Sequence, residues 1–168
     1  PALDFGVLDG GIVLEANGIK DLPLNDFSFY AVSKTQNTAS STPSLLFEGV
    51  DDFAFFPYVS LSGDNGARIF WRNLGTATEQ NSGDISNTNF IYSFNYNKTN
   101  ENYKVYRNTS NVIDLNTSGV SSGNFSNFIL GGNGYGGLTQ EFIAYPSDES
   151  SNRTGIESNI NTAFSIYP

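Results

Sequence analysis

Trp71 is the single tryptophan of the chain, and it stands between Arg68 and Arg72 on a stretch, Ala67 to Arg72, with the alternation of a strand. Ile69 and Trp71 then share one face, and Phe70 and Arg72 the other. An indole face with guanidinium and carboxamide groups beside it can stack on a sugar ring and bond its hydroxyls, which makes Trp71 and Arg72 candidate ligand contacts. The competing reading is that Trp71 simply packs in the core. A second candidate is Gly131-Gly-Asn-Gly-Tyr-Gly-Gly137. It lacks the lysine and the following helix of a phosphate loop, and reads as a flexible rim loop with Asn133 and Tyr135 as contact residues. Asp51, Asp52, Asp64, Asn65 and Asp84 offer hard oxygen donors of the kind that bind Ca²⁺, with Asp64 and Asn65 as the candidate metal pair. Against this, Asp and Asn favour turns because they bond their own backbone, and no EF-hand spacing is present.

The missing residue types narrow the chemistry further. Without histidine or cysteine, a Ser-His-Asp or Cys-His arrangement is excluded, as are thiolate chemistry and a disulfide framework. The 17 acidic residues outnumber the 8 basic ones for a net charge of −9, and the basic residues are scattered, so no nucleic acid or anionic membrane is expected as a partner. No apolar run is long enough to cross a bilayer, so no membrane insertion is expected, and Pro1-Ala-Leu-Asp4 lacks a basic region followed by an apolar segment. The Asn-x-Ser/Thr triplets at Asn97, Asn108, Asn116, Asn124 and Asn152 carry no glycosylation signal in a chain this rich in those residues.

At 168 residues the length fits one domain, spanning 1–168. Abundant Asn, Ser, Thr and Gly beside Phe, Tyr, Ile and Val favour strands and turns. Residues 3–19 hold two short strands broken by glycines. Asp26-Phe-Ser-Phe-Tyr-Ala-Val-Ser33 has the period of a strand with one buried face. Ser44 to Glu48 and Asp52 to Phe56 form a hairpin, with Pro57 limiting the second strand to an edge or an end. Asn65-Gly66 is a hairpin signal before Ala67. Phe90 to Tyr96 and Asn102 to Arg107 pair across a polar turn, and Val112 to Leu115 continues the ladder. Tyr92, Phe94 and Tyr96 share one face, which is the pattern of a core or subunit interface. Phe128 to Leu130 and Gln140 to Tyr145 are further strands. After Pro146, Ile156, Ile160 and Phe164 recur every four residues behind the N-cap types Ser147, Asp148 and Ser150, predicting a short helix near residues 150–161. Phe27, Phe29, Phe94, Ile129, Phe142 and Ile160 are expected in one core.

In order, Ile129-Leu-Gly-Gly132, Gly137-Leu-Thr-Gln-Glu-Phe-Ile-Ala-Tyr145, Ser147-Asp-Glu149 and Phe164-Ser-Ile-Tyr167 resemble the C-terminal signature of concanavalin A-like domains of the LamG-like type. Phe27-Ser-Phe29 resembles that family's early strand, and Val105-Tyr-Arg-Asn108 its central hairpin. The resemblance implies an all-β, two-sheet antiparallel jelly-roll sandwich (concanavalin A-like) with one short C-terminal helix. It also implies Ca²⁺ at the loop rim in many members, while no other cofactor is expected. Related laminarinase-type glycosidases carry a Glu-x-Asp-x-x-Glu strand, which puts both acids on one face. Glu48-Gly-Val-Asp51-Asp52 fails that spacing and Glu141 stands alone, so no enzyme is expected. The functional expectation is a non-catalytic virion surface module, such as a bacteriophage tail-fibre, receptor-binding or capsid-decoration protein. It would recognise a glycan or cell-surface polysaccharide and assemble as a homo-oligomer or with other virion proteins. The alternative is a secreted or cell-surface carbohydrate-binding module of a polysaccharide-degrading bacterium.

Overall fold

The computed structural model describes residues 26–34, 88–118 and 137–168 with their side chains, and elsewhere the backbone of the strands named next. These are β1 Leu3–Asp4, β2 Leu14–Ala16, β3 Leu22–Pro23, β4 Phe27–Thr35, β5 Ser44–Glu48, β6 Phe53–Tyr58 and β7 Gly66–Trp71. They continue with β8 Gly75–Thr78, β9 Asn89–Asn97, β10 Asn102–Arg107, β11 Ser110–Asn116, β12 Asn124–Phe125, β13 Phe128–Gly132 and β14 Gly137–Tyr145, and helix α1 is Arg153–Phe164.

Among the described residues, one antiparallel sheet has the order β1-β14-β4-β9-β10-β11, the other the order β2-β13-β5-β6-β7-β8, and β12 pairs with β3. The chain crosses repeatedly between the sheets. After β4 it builds β5 to β8 in the second sheet, returns for β9 to β11, then crosses again for β13 and back for β14. That interleaving is the jelly-roll sandwich. Pro57 sits past Phe55, the last residue of β6 to pair with β5, and faces only Ala67 of β7, so it is tolerated at a strand end.

The hairpins that carry the outer face are locally encoded. Between β10 and β11, Asn108 and Thr109 both have positive φ, 45° and 72°, as a two-residue type I′ turn requires. Asn108 also extends the ladder: its N–H donates to the Ile91 carbonyl and its Oδ1 accepts from the Ile91 N–H, each at 2.9 Å.

Two apolar layers flank β4. On one face Phe27, Phe29, Phe94, Tyr96 and Tyr103 interlock, with Phe27 and Phe29 at 4.9 Å and Phe94 meeting Tyr103 edge-on at 4.7 Å between centroids. Burial pushes the Tyr103 hydroxyl well above its ordinary range. On the opposite face Tyr30, Val32, Ile91 and Ile160 form a second cluster, over which Ile156, Phe164, Ile166 and Tyr167 pack from the helix and the tail. The expectation of a single core therefore needs correction. Ile160 is buried, but beneath the helix and away from Phe27, Phe29 and Phe94; Phe142 is half-buried, its ring 5.8 Å from Phe29. The side chain of Ile129 lies outside the described residues. β4 is likewise buried on both faces, where its period suggested one.

The helix begins three residues later than expected because its supposed caps are spent in the turn before it. The Asp148 carboxylate accepts from the Ser150 N–H at 3.0 Å and from the Ser150 hydroxyl, while Glu149 accepts from the Ser147 hydroxyl at 2.6 Å and from Asn152 Nδ2 at 2.8 Å. Those two bonds hold the Glu149 carboxyl below its ordinary value, Ser147 contributing most. Asn152 is the N-cap and makes no side-chain capping bond. At the other end Ser165, at φ 51°, closes the helix. Asn161 Oδ1 accepts from the N–H groups of Ile166 and Tyr167 at 2.8 and 2.9 Å, folding the tail back over the cluster.

Candidate functional site

Alternation puts a polar lattice on the outer face of β9 and β10, beside the helix. Ser93, Asn95 and Asn97 point the opposite way from Tyr92, Phe94 and Tyr96. Across the pair, Tyr106 faces Ser93, Lys104 faces Asn95 and Asn102 faces Asn97. The helix covers the Ser93 end, and the turn carrying Asp148 and Ser150 borders the other side. The result is a polar cleft of about 390 Å³ whose lining includes Asn95, Asn100, Lys104, Tyr106 and Asp148. That volume lies toward the lower end of the roughly 300–1,000 Å³ typical of small-molecule sites.

Each wall is fixed by its own bonds. Asp114 accepts from Asn102 Nδ2 at 2.7 Å and pairs with Lys104 Nζ at 3.2 Å. The Asn102 bond first, then Lys104, hold the Asp114 carboxyl below its ordinary value. On the other side Asn97 Nδ2 donates to Asp148 at 2.7 Å, and Asn97 Oδ1 accepts from the Asn100 N–H at 2.7 Å. Over the Tyr106 ring the Arg153 guanidinium lies 3.8 Å from the centroid. Arg153 is itself held by Glu157 at 2.6 Å, and the other Glu157 oxygen accepts from the Ser93 hydroxyl. The glutamate is fully buried, so strand, helix and aromatic wall are tied through one carboxylate.

The floor is Asn95, 2% exposed. Its Oδ1 accepts from the Ser28 hydroxyl at 2.8 Å, and Ser28 Oγ in turn accepts from the Glu149 N–H at 2.8 Å, so the hydroxyl proton goes to Asn95 and fixes the amide orientation. Asn95 Nδ2 is left buried with no partner in the protein. A buried donor without a partner costs about 1–3 kcal/mol, and what sets Asn95 apart among the described residues is that it also lines the cleft.

None of the sequence candidates is among the described residues that line this cleft. Trp71 is the last residue of β7, in the second sheet, paired with Phe53 and Gly75; its side chain falls outside the described residues. Arg72, Asn133, Tyr135, Asp64 and Asn65 lie outside them altogether, as do Asp51, Asp52 and Asp84. Among the described residues no group of three acids comes together to hold a metal ion. The cleft was missed because the aromatic side of Tyr92-Ser-Phe-Asn-Tyr-Asn97 drew the reading. Its signal was the complementary side, with Ser93, Asn95 and Asn97 at alternate positions opposite Asn102 and Lys104.

Two antiparallel sheets in a jelly roll with one short C-terminal helix make a concanavalin A-like fold. The particular neighbours bear this out. A heptameric SAP-like pentraxin from Limulus polyphemus aligns with a TM-score of 0.69 at 10% identity, over 89% of this chain and 77% of its own. The binding domain of Paraclostridial Mosquitocidal Protein 1 aligns at 0.66 and 15% identity over 97% of this chain, which spans 44% of that protein's length. A sialidase CBM40 from Ruminococcus gnavus, bound to α2,3 sialyllactose, aligns at 0.59 and 18% identity over 83% of this chain and 95% of its own. No protein-family model and no curated protein matches the sequence.

Proposed function

We propose that this chain is a non-catalytic glycan-recognition module carried on a surface. The observation that carries the reading is the polar cleft with an unpartnered, buried carboxamide donor at its floor. A carboxamide-lined cavity with one aromatic wall is the chemistry that matches a polyhydroxylated ligand. The sugar-bound carbohydrate-binding module among the fold neighbours supports the same class. The surface is that of a virion, in a tail-fibre, receptor-binding or decoration protein. A cysteine-free, acidic, Asn/Ser/Thr/Gly-rich chain suits assembly in a cytoplasm followed by exposure to water. A secreted or cell-surface module is the second reading, favoured by that same neighbour. Display in many copies, or as a homo-oligomer, raises weak single-site affinity by making later contacts intramolecular.

From their residue types alone, Trp71, Arg72, Asn133 and Tyr135 are proposed as further ligand contacts, and Asp64 and Asn65 as a Ca²⁺ pair. The test is a glycan array with the multimerised chain, run with and without EDTA, beside a reducing-sugar assay on laminarin, agar and carrageenan. Glycan binding without release of reducing ends is the expected outcome. Sugar release would overturn the non-catalytic reading, and an array without a hit would overturn glycan recognition. Trp71→Ala and Tyr135→Ala should each weaken binding at unchanged melting temperature; parent-like binding by both would remove those contacts.

A further inference from the structure

We infer that the outer-face cleft seats an uncharged sugar ring, with a ligand oxygen, hydroxyl or acyl carbonyl, accepting from Asn95 Nδ2. This rests on the glycan-recognition reading and gives it a place and a ligand class. The place is separate from Trp71, which belongs to the other sheet. The cleft opens on the face of β9 and β10 that carries the helix, away from the Phe27–Phe94 layer.

The ligand class follows from what each group still has to offer. Asn95 Oδ1 is used by Ser28, so the floor presents a donor and asks for an acceptor. Asp148 lines the same cleft, and after taking Asn97 and Ser150 it remains an acceptor for a ligand hydroxyl. Sugar hydroxyls donate and accept, and so answer both. Charge disfavours the acidic sugars. Lys104 is the cation in the lining, and its ammonium is matched by Asp114 at 3.2 Å. Arg153, over Tyr106, is matched by buried Glu157 at 2.6 Å. Among the described lining residues a carboxylate or sulfate would find no cation without a carboxylate partner and would face Asp148, on a chain of net charge −9. An amine would suit Asp148 but leave the Asn95 donor unanswered. Tyr106 lines the cleft with the Arg153 guanidinium packed over its ring, a braced aromatic wall against which a pyranose can rest.

The test follows the side-chain amide signals of Asn95 by ¹H–¹⁵N NMR in the intact chain, titrated with methyl β-D-glucopyranoside, methyl β-D-galactopyranoside and N-acetylglucosamine, and separately with N-acetylneuraminic acid and galacturonic acid. The expected result is that at least one neutral sugar moves the Asn95 Nδ2 signals saturably while the acidic sugars bind roughly tenfold more weakly or not at all. Asn95→Asp keeps the acceptor for Ser28 and removes the donor, and should weaken the neutral sugar roughly tenfold. Asn100→Ala, on the exposed wall, gives a readout that does not depend on the core tolerating Asn95→Asp. Stronger binding of the acidic sugars at these signals would overturn the uncharged class and leave glycan recognition standing. Sugar binding that leaves the Asn95 signals, Asn95→Asp and Asn100→Ala unmoved would overturn the cleft as the seat. Binding of none of the five probes, on a chain that is also silent on the array, would overturn both.

Discussion

Replacing Arg153 tests whether a buried carboxylate ties the helix to the sheet. Glu157 has 1% of its side chain exposed and Arg153 14%, and they meet at 2.6 Å one helical turn apart. Arg153→Met keeps most of the apolar stem and removes the guanidinium, leaving Glu157 in the interior with Ser93 as its remaining partner. Breaking a buried pair from one side typically costs about 3–5 kcal/mol, because the remaining charge stays desolvated. The lost stacking on Tyr106 adds about 0.5–2 kcal/mol. A variant loss of about 5 kcal/mol is therefore expected, a large part of the 5–15 kcal/mol typical of a whole domain. Removing both charges, as Arg153→Met with Glu157→Met, should recover most of that loss, since a buried pair replaced by apolar groups is often near neutral. Urea unfolding of the parent, both single variants and the double variant, read as midpoints at a common slope, gives the coupling directly. A single-variant loss below about 1 kcal/mol, or a double-variant loss equal to the sum of the singles, would refute the reasoning.

Other consequences follow from the same geometry. Phe94→Ala should cost about 3–5 kcal/mol in urea unfolding and Ile160→Ala about 2–5, whereas half-buried Phe142→Ala should cost roughly half as much as Phe94→Ala; equal losses at Phe94 and Phe142 would contradict the described packing. The Tyr30 hydroxyl is buried with no partner, and burial, then Glu157 and Glu149, push its ionisation above the ordinary range, so Tyr30→Phe should leave stability unchanged or raise it. Asp114 and Glu149 are both held below their ordinary values of 3.8 and 4.5. The stability they lend is present above those values and lost as pH falls through the lowered ones. Thermal melts between about pH 6 and pH 2.5 should fall, with a smaller fall in Asp114→Asn; an identical fall would remove Asp114 from the account.

How much the sequence disclosed depended on how local each cause was. β9, β10 and β11 were legible because their alternation and their polar turns sit within neighbouring residues, and the helix because Ile156, Ile160 and Phe164 repeat along it. The second core was not. Ser28, Tyr30 and Val32 read as the solvent side of β4, and the return of the Glu149 turn and the helix more than a hundred residues later covers them. The helix start was displaced by the Asp148–Glu149 turn, where cap-type residues bond one another. The cleft was the least legible, because an asparagine on the polar side of a strand looks solvated until Ser28 and Glu149 close over it. Long-range burial turned Asn95 from a surface residue into an unpaired donor.

The most direct test of the central claim is a crystal structure of the chain with the strongest neutral glycan from the array. The account predicts density for a sugar ring between Tyr106 and the Asp148 turn, with one of its oxygens about 2.7–3.2 Å from Asn95 Nδ2. A glycan bound only on another surface, with the cleft holding no sugar at saturating concentration, would contradict it.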